Sequence, residues 1–361
     1  MFHPFDNPFQ QTWMHDFLNG IPGYASHSWL LKDQEVEGRL QAMVIREGGG
    51  PKGFLTARAI VQGGPLIRRV KEEGLSVLPD EGLADGVFEG LVSNLLDSLK
   101  SKVNYIQLRN FFSFSDVQHQ WLLGRGFGFE EEVNFVVLLE ADNDPVANFH
   151  ASRRRQVRKG LAAGAEVFLA EEAREVSEFY SILKGIYRMR AQKPLAPEAL
   201  FRNFLEGPCR EGRGAYLLVR FKGAVIGGIM LLLDEKPGVD LQGMSKSGLI
   251  GGGGSPAFPA VADQALKKAY EWYVGGLDRE FPHCYPSVLA TWAGIDFAWR
   301  NGFQAFDFLG AGNPAVPYGV REFKSKFGGM QTNYGRYLLI ARPTIYQLGK
   351  LGVKAYSRLF S

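Results

Sequence analysis

Cysteines and long apolar segments are scarce in this sequence. Its 361 residues include two cysteines, Cys209 and Cys284, too few for a disulfide framework and too far apart for a metal-binding pair. The longest apolar run, Ala224–Leu233, has ten residues, about half the number that spans a bilayer. The first residues lack the basic segment and apolar stretch of a secretion signal. We therefore expect a cytoplasmic protein, at most peripheral to the inner face of the membrane.

The sequence also lacks the motifs of metal-dependent and nucleophilic enzymes. Its six histidines form no His-x-x-x-His or His-Glu-x-x-His pair, and there is no Gly-x-Ser-x-Gly turn. Residues 310–315 match a dinucleotide-binding glycine loop, but Pro314 and Pro317 obstruct the helix that such a loop requires. We expect no metal and no bound cofactor.

Length and charge indicate a two-domain protein with a basic end. A chain of this length corresponds to about two domains. The net charge of +3 is too small to imply nucleic-acid binding by itself. The charge is uneven, since residues 323–361 carry seven cations and no acid, which leaves a net charge of −4 on the residues before them.

Apolar periodicity predicts alternating helices and strands in both halves of the chain. The predicted helices are 83–99, 117–123 and 288–300, and the predicted strands are 55–67, 103–108, 133–139, 215–219, 225–233 and 306–309. Two helix-to-strand junctions, Gly126-Phe127 and Gly302-Phe303, lie 176 residues apart. This spacing favours two similar α/β modules in tandem, although helices commonly end at glycine in any fold.

The predicted modules meet near residue 144. The first module comprises residues 1–144 and is completed by the C-terminal segment 331–361. The second comprises residues 145–330, carries the reactive site and includes a flexible glycine-rich insertion at 234–268. Asp144 is placed to cap a helix that begins at Pro145 and runs through the basic residues that follow.

That helix carries a dense cluster of cations. Five of seven consecutive residues are basic: Arg153, Arg154, Arg155, Arg158 and Lys159. Arg154 with Arg158, and Arg155 with Lys159, are like-charged neighbours one turn apart, which costs a few tenths of a kcal/mol per pair. A solvated helix face is one interpretation. The other is a platform that binds phosphates or RNA through Arg154, Arg155, Arg158 and Lys159.

Several motifs resemble the FemAB family. They are the run RRRQVRKGLAAGAEV, the segment FDFLGAGNPAVPYGVREFKSKFGG with the basic, aromatic residues after it, and WYVGGLD, YPSVLATW and QGGPL. The FK-x-x-FG stretch at Phe323, Lys324, Phe327 and Gly328 is the most specific of them. The resemblance covers almost the whole chain, and only the glycine-rich stretch 234–268 is longer than the family suggests.

The resemblance implies both a fold and a reaction. FemAB proteins are peptidoglycan-bridge aminoacyltransferases built from two tandem GNAT-like acyltransferase modules, which are α/β (α+β) structures with mixed sheets and flanking helices. The implied reaction moves an amino acid from aminoacyl-tRNA to an amine of a muramyl-peptide or lipid-linked precursor. Aminolysis of an activated ester needs no enzyme nucleophile and no metal, which agrees with the missing motifs.

The resemblance also suggests site residues. Lys324 is the candidate cation for the developing oxyanion, and Val320, Phe323 and Phe327 predict a short helix over 318–327 with its apolar edge inward. Asp307, at a strand end, is a candidate to orient Lys324 or to accept a proton. Substrate-binding candidates are Arg190 and Lys193 for phosphates, and Tyr273 and Phe323 for the peptide.

Two other functions remain open from the sequence. An acyl-CoA-dependent N-acyltransferase of the same fold is the first, although no [Gln/Arg]-x-x-Gly-x-[Gly/Ala] signature for the CoA pyrophosphate is present. A non-catalytic RNA- or membrane-binding protein is the second. Residues 344–361 predict an amphipathic helix in which Lys350, Lys354 and Arg358 form a basic stripe, suited either to an anionic membrane or to docking on the protein body.

Overall fold

The computed structural model describes residues 7–69, 81–188, 194–234 and 266–349. The chain divides into two compact units. One comprises the residues up to Glu132 together with those from Tyr334 onward, and the other comprises Val133–Asn333. The boundary therefore lies earlier than the predicted residue 144, because the strand that begins at Val133 pairs with strands of the second unit.

The described strands and helices alternate along the chain. The strands are β1 Tyr24–Asp33, β2 Val36–Ile45, β3 Arg58–Gln62, β4 Leu66–Arg69, β5 Tyr105–Arg109, β6 Gly128–Glu130, β7 Val133–Leu138, β8 Glu166–Leu169, β9 Gly214–Phe221, β10 Ala224–Leu233, β11 Lys268–Gly276, β12 Ala305–Asp307, β13 Met330–Asn333 and β14 Arg336–Ile340. The α-helices are α1 Thr12–Asn19, α2 Gly50–Thr56, α3 Glu81–Leu99, α4 Asp116–Gly124, α5 Ala151–Ala162, α6 Ala173–Ile186, α7 Glu198–Phe204, α8 Pro286–Arg300 and α9 Gly319–Ser325.

The first unit is a mixed sheet covered by α3. The strand order is β1-β2-β3-β5-β14-β6, and β4 also pairs with β2. β3 and β5 are parallel, whereas the other neighbouring strands are antiparallel. The apolar face of α3 buries Val87, Leu91 and Leu95 against this sheet. The helix lies so close to β2 that a Cβ at Gly38 would sit 2.3 Å from Val87 Cγ1.

The second unit has the same kind of sheet in the order β13-β7-β12-β11-β10-β9-β8. β11 and β12 are parallel and their other neighbours are antiparallel. Helix α8 connects this parallel pair and is buried on nearly every side. It packs between the sheet and α5, where Gly160 lies against the backbone of Cys284. A single apolar core unites the sheet, α5 and α8.

The sheets of the two units have similar topologies, but the strand next to the parallel pair comes from a different part of the chain in each unit. Each has one parallel pair, β3–β5 or β11–β12, followed across the sheet by two antiparallel strands. These two strands are β14 and β6 in the first unit and β7 and β13 in the second. β14, near the end of the chain, thus completes the first sheet in the position that β7 takes in the second.

This equivalence corrects the predicted repeat. Gly126-Phe127 follows α4 and leads to β6 at a sheet edge, whereas Gly302-Phe303 follows α8 and leads to β12 inside the sheet. The structural counterpart of α8 is α3, which leads into β5. The tandem architecture is therefore present, but the two glycine junctions do not occupy equivalent positions.

Three local predictions differ from the structure. The strand predicted over 55–67 is interrupted, because α2 extends to Thr56 and a Gly-Gly-Pro turn separates β3 from β4. Asp144 caps only a 3-10 turn, Pro145–Asn148, through Val146 N–H. His150 then caps α5, so the predicted long helix is broken in two.

Two predicted segments are only partly described. Of the insertion predicted at 234–268, residues 235–265 lie outside the described residues. Of the predicted C-terminal helix, residues 344–349 are helical and 350–361 lie outside the described part. Among the described helices, none is both long and apolar enough to cross a membrane.

Candidate active site

The parallel pair β11–β12 separates after three residues. Pairing runs from Lys268 opposite Ala305 to Tyr270 opposite Asp307, whereas β11 continues beside β10 to Gly276. Beyond Asp307 the two backbones diverge and no longer satisfy each other's hydrogen bonds. Buried backbone groups in such a gap need other partners. We call this gap, between Glu271 on β11 and residues 308–310, the fork.

A turn with an unusual backbone diverts the chain at the fork. Leu309 has φ = +53°, a left-handed conformation that costs a residue with a side chain about 1–3 kcal/mol. Two side chains hold the turn. Asp307 Oδ1 accepts hydrogen bonds from Leu309 N–H at 2.8 Å and from Asn134 Nδ2 at 2.7 Å. Asn134 on β7 in turn accepts one from Gly310 N–H at 2.7 Å. The predicted site residue Asp307 therefore shapes this turn.

The ammonium group of Lys324 fills the fork. Lys324 lies in the last turn of α9, and its side chain is buried. Its Nζ donates to the carbonyl oxygens of Phe308 at 2.7 Å and Gly310 at 2.9 Å, and it forms an ion pair with Glu271 Oε1 at 3.0 Å. The ammonium thus supplies a partner for two carbonyls that the diverging strand leaves behind.

This geometry refines the prediction for Lys324. A short helix carries it, and its aliphatic stem is buried, as expected. The ammonium, expected to project into an open cleft, instead has three protein acceptors for its three N–H groups. Val320, expected on the inward edge of α9, is 39% exposed, so the inward contacts come from Phe323 and Phe327. Lys324 is oriented by Glu271 rather than by Asp307.

Glu271 is the site residue that sequence reasoning missed. It lies on β11 directly after Tyr270, the last residue that pairs with β12. The next residue, Trp272, forms a bulge, because Glu271 and Tyr273 pair with consecutive residues of β10 and Trp272 has no counterpart there. Its side chain is 2% exposed. Among the described residues, Oε2 has no hydrogen-bond partner. One signal was available, namely a carboxylate in the strand KAYEWYVGG, whose other residues after Lys268 are apolar or aromatic.

Burial dominates the electrostatics of this carboxylate. Loss of hydration raises the pKa of Glu271, and nearby Asp307 raises it further, whereas the ion pair with Lys324 opposes the shift. Tyr187, directly after α6, belongs to the same neighbourhood. Burial raises the pKa of Tyr187 to about 12, with smaller contributions from Tyr318 and Glu271. Its hydroxyl therefore stays protonated at neutral pH.

The two predicted peptide-binding aromatics pack within the second unit. The ring of Phe323 lies 4.4 Å from the guanidinium of Arg153 and 5.3 Å from the ring of Phe327. Tyr273 is half-buried, with its ring 4.8 Å from Phe201 and 6.4 Å from Tyr187. Tyr273 therefore lies beside the neighbourhood of Glu271. The predicted phosphate ligands Arg190 and Lys193 lie outside the described residues.

The basic cluster on α5 divides into an inner and an outer set. Arg153 is buried against Phe323 and Phe327, so it stabilises the packing of α9. Arg154 is half-buried and donates to Ala147 O at 2.8 Å, which ties α5 to the preceding turn. Arg155, Arg158 and Lys159 are exposed. The available cationic surface is therefore smaller than the sequence suggested.

Neither cysteine is placed for catalysis. Burial raises the pKa of both the Cys209 and the Cys284 thiol, which disfavours the reactive thiolate. The two cysteines are free thiols. Within the ranges that the structure describes, no group of three or more His, Cys, Asp or Glu side chains is placed to hold a metal ion.

Two solved structures show that the chain has a tandem GNAT-like fold. The similarity extends over nearly the full chain of FemX, whose crystal structure superposes with a TM-score of 0.59 at 15% identity, covering 96% of this chain and 97% of that one. A tandem GNAT protein from the clavulanic acid biosynthesis pathway superposes with a TM-score of 0.50 at 13% identity, covering 89% and 85%. The predicted α/β tandem fold and its resemblance to Fem proteins are confirmed at the level of the fold.

At the level of sequence, no protein-family model and no curated protein matches this chain.

Proposed function

We propose that this protein is an aminoacyltransferase that forms an amide bond between an amino acid carried by tRNA and an amine of a peptidoglycan precursor. The observation that carries the proposal is the buried Lys324–Glu271 pair, set at the fork of a FemX-like fold. A buried ion pair is a poor source of stability, since apolar residues of similar volume serve as well. Its presence beside a strained turn favours a chemical role.

The proposed reaction is aminolysis of the aminoacyl ester. The amine nitrogen bonds to the ester carbonyl carbon, negative charge develops on the carbonyl oxygen, and the ribose oxygen leaves. Such a reaction requires the two substrates to be held in line and positive potential near the developing charge. Lys324 supplies that potential. Asp307 holds the turn that positions the two carbonyls bound to Lys324, and Tyr273, Phe323, Arg190 and Lys193 remain the proposed substrate contacts.

A transfer assay tests this proposal against its competitors. The protein is incubated with a muramyl-pentapeptide precursor and, separately, a pool of charged tRNAs or acetyl-CoA, and the precursor is analysed by mass spectrometry. A mass increase equal to one amino acid, dependent on charged tRNA, is the expected result. An acetyl increment would instead identify an acyl-CoA-dependent enzyme. No increment with either donor would favour a non-catalytic binding protein.

The exposed face of α5 provides a prediction for donor binding. We expect Arg155→Glu combined with Arg158→Glu to weaken the binding of charged tRNA at least tenfold, and we expect the wild-type affinity to fall steeply with salt. Both side chains are exposed, so the fold should be unaffected. Binding is measured by filter retention at several salt concentrations.

A matched control separates this site from general electrostatics. Arg174→Glu with Lys184→Glu makes the same change of charge on exposed positions of α6. This control should bind as the wild type does at equal salt. An equal loss of tRNA affinity in both double variants would show that net charge causes the effect. No loss of affinity in either variant would mean that the exposed face of α5 is a solvated surface that does not bind tRNA.

A lipid-linked acceptor would bring the protein to the membrane. We propose that the basic stripe Lys350, Lys354 and Arg358 contacts anionic lipid, at about 1 kcal/mol per cation. Removal of residues 350–361 should then lower the affinity for anionic vesicles roughly a hundredfold, as measured by co-sedimentation. Unchanged co-sedimentation, or none in either form, would contradict this contact.

A further inference from the structure

The unpartnered oxygen of Glu271 is the feature of the fork that the proposed chemistry has not used. Oε1 is bound by Lys324, but Oε2 is buried and has no partner among the described residues. A buried acceptor without a hydrogen bond costs about 1–3 kcal/mol, and more when it is charged. Such groups are rare in proteins and call for a specific explanation, such as a catalytic role or a bound donor.

We propose that Glu271 is the proton acceptor of the transfer reaction and that its Oε2 binds the N–H of the acceptor amine. This inference rests on the proposed aminoacyl transfer and names the residue that performs its proton transfer. The ligand chemistry is that of a primary amine, because an amine can supply the hydrogen bond that Oε2 lacks and the proton that a carboxylate can take.

The position of Glu271 agrees with this role. It is the first residue of β11 beyond the paired part of β12, at the point where the fork opens. The irregularity at Trp272 follows directly, and such bulges often re-aim side chains beside active sites. The charged or titratable groups that interact with Glu271 are Lys324 from α9, Asp307 from β12, and Tyr187 directly after α6. Lys324 is the one cation among these three groups.

The proton balance links Glu271 to Lys324. The neutral amine attacks the ester carbonyl, the carbon–nitrogen bond forms, and the carbonyl π electrons move to oxygen. Glu271 then takes one proton from the positively charged nitrogen. The carbon–oxygen bond to the ribose breaks, and the departing oxygen receives that proton from Glu271. One amide and one alcohol result, and the carboxylate is regenerated.

The charge of the ion pair changes during this sequence. Before attack, the carboxylate of Glu271 cancels the charge of Lys324, so the pair contributes little potential. Once Glu271 holds the proton, the pair is cationic, at the stage when the tetrahedral intermediate is anionic. Lys324 therefore needs no free N–H to act, because its charge acts through space in a site of low dielectric. This coupling explains why its three N–H groups are occupied by the protein.

Burial supplies the basicity that the role requires. A proton acceptor works best when its pKa approaches the working pH, and burial raises the pKa of Glu271 from the ordinary value of glutamate. We expect the wild-type rate to rise with pH as Glu271 ionises, at a higher pH than an exposed glutamate would give. Removal of the carboxylate should abolish that rise.

The experiment compares two substitutions of Glu271 with a control in α9. Glu271→Gln should lower turnover about 10²–10⁴-fold and remove the acidic limb of the pH–rate profile. Glu271→Asp keeps a carboxylate at a shorter reach, so it should retain the limb at reduced rate. Glu322→Gln removes an exposed carboxylate that pairs with Lys326, and both its rate and its profile should match the wild type. Rates are expressed per folded molecule, from thermal melts of each variant.

The outcomes distinguish this inference from the function on which it rests. Wild-type transfer that Glu271→Gln leaves unchanged in rate and pH profile would overturn the assignment of Glu271 alone. No transfer by the wild type from charged tRNA, acetyl-CoA or a soluble aminoacyl ester would overturn the proposed function and this assignment together. If Glu271→Gln does not fold, a wild-type pH–rate profile with no acidic limb, or a Glu271→Asp variant whose profile lacks one, would overturn the assignment.

Discussion

Replacement of Lys324 by methionine is expected to lower the free energy of unfolding by about 3–5 kcal/mol. The substitution removes the partner of a buried carboxylate, so Glu271 must either take up a proton or remain buried as an unpaired charge. It also leaves the carbonyls of Phe308 and Gly310 without their donor. For a unit of this size, such a loss lowers the melting temperature by roughly 6–20 °C. Urea denaturation followed by circular dichroism measures it.

A double variant tests the cause of this destabilisation. Lys324→Met combined with Glu271→Leu removes both charges, so it should recover much of the lost stability, with a coupling energy of about 2–3 kcal/mol. Lys326→Met is the control directly after the same helix, because its partner Glu322 is exposed, and it should change stability by less than about 0.5 kcal/mol. Additive effects of Lys324→Met and Glu271→Leu would show that the two residues do not stabilise each other.

The second large effect concerns turnover. Lys324→Met should reduce the rate per folded molecule about 10²–10³-fold, the loss typical of removing one preorganised group that stabilises an oxyanion. Because the variant is destabilised, the rate must be measured at a temperature where it is folded. Single-turnover mass spectrometry with saturating donor then reports the chemical step.

The control for turnover is again Lys326→Met. It should lose less than about threefold, as expected for an ordinary surface change. Equal losses in the two variants would mean that charge near α9 matters without a placed ammonium. Full activity of folded Lys324→Met would reduce Lys324 to a structural residue that holds the turn after β12.

Elements with a strong local pattern were predictable. The helix over 83–99 and the strands 215–219 and 225–233 follow from apolar periodicity, and they agree with α3, β9 and β10 to within a few residues. The turn between β9 and β10 was also readable, because Lys222 and Gly223 both adopt the positive φ that a two-residue hairpin requires. In each case neighbouring residues decide the structure.

Candidate site residues were predictable only in part. The resemblance of the FK-x-x-FG motif to the FemAB family singled out Lys324, and apolar spacing placed this lysine on a short helix. What its ammonium contacts was not predictable, because Glu271 and the carbonyls of residues 308 and 310 lie on other elements. Likewise, the cationic run on α5 could be found, but not which of its members is buried. Arg153 is turned inward against the rings of Phe323 on α9 and Phe327 just after it.

The sequence by itself determined the local helices and strands, because each depends on a pattern within one or two turns or strands. The tandem architecture and the lysine of the candidate site followed from motifs that resemble the FemAB family. Tertiary structure alone decided the unit boundary at residue 133, where β7 pairs with distant β12 and β13, and the division of the last two strands, of which β13 joins the second sheet and β14 the first. It also decided that Glu271 would face Lys324. Hydrogen bonds between strands and ion pairs across a core join residues far apart in the chain, so no local pattern specifies them.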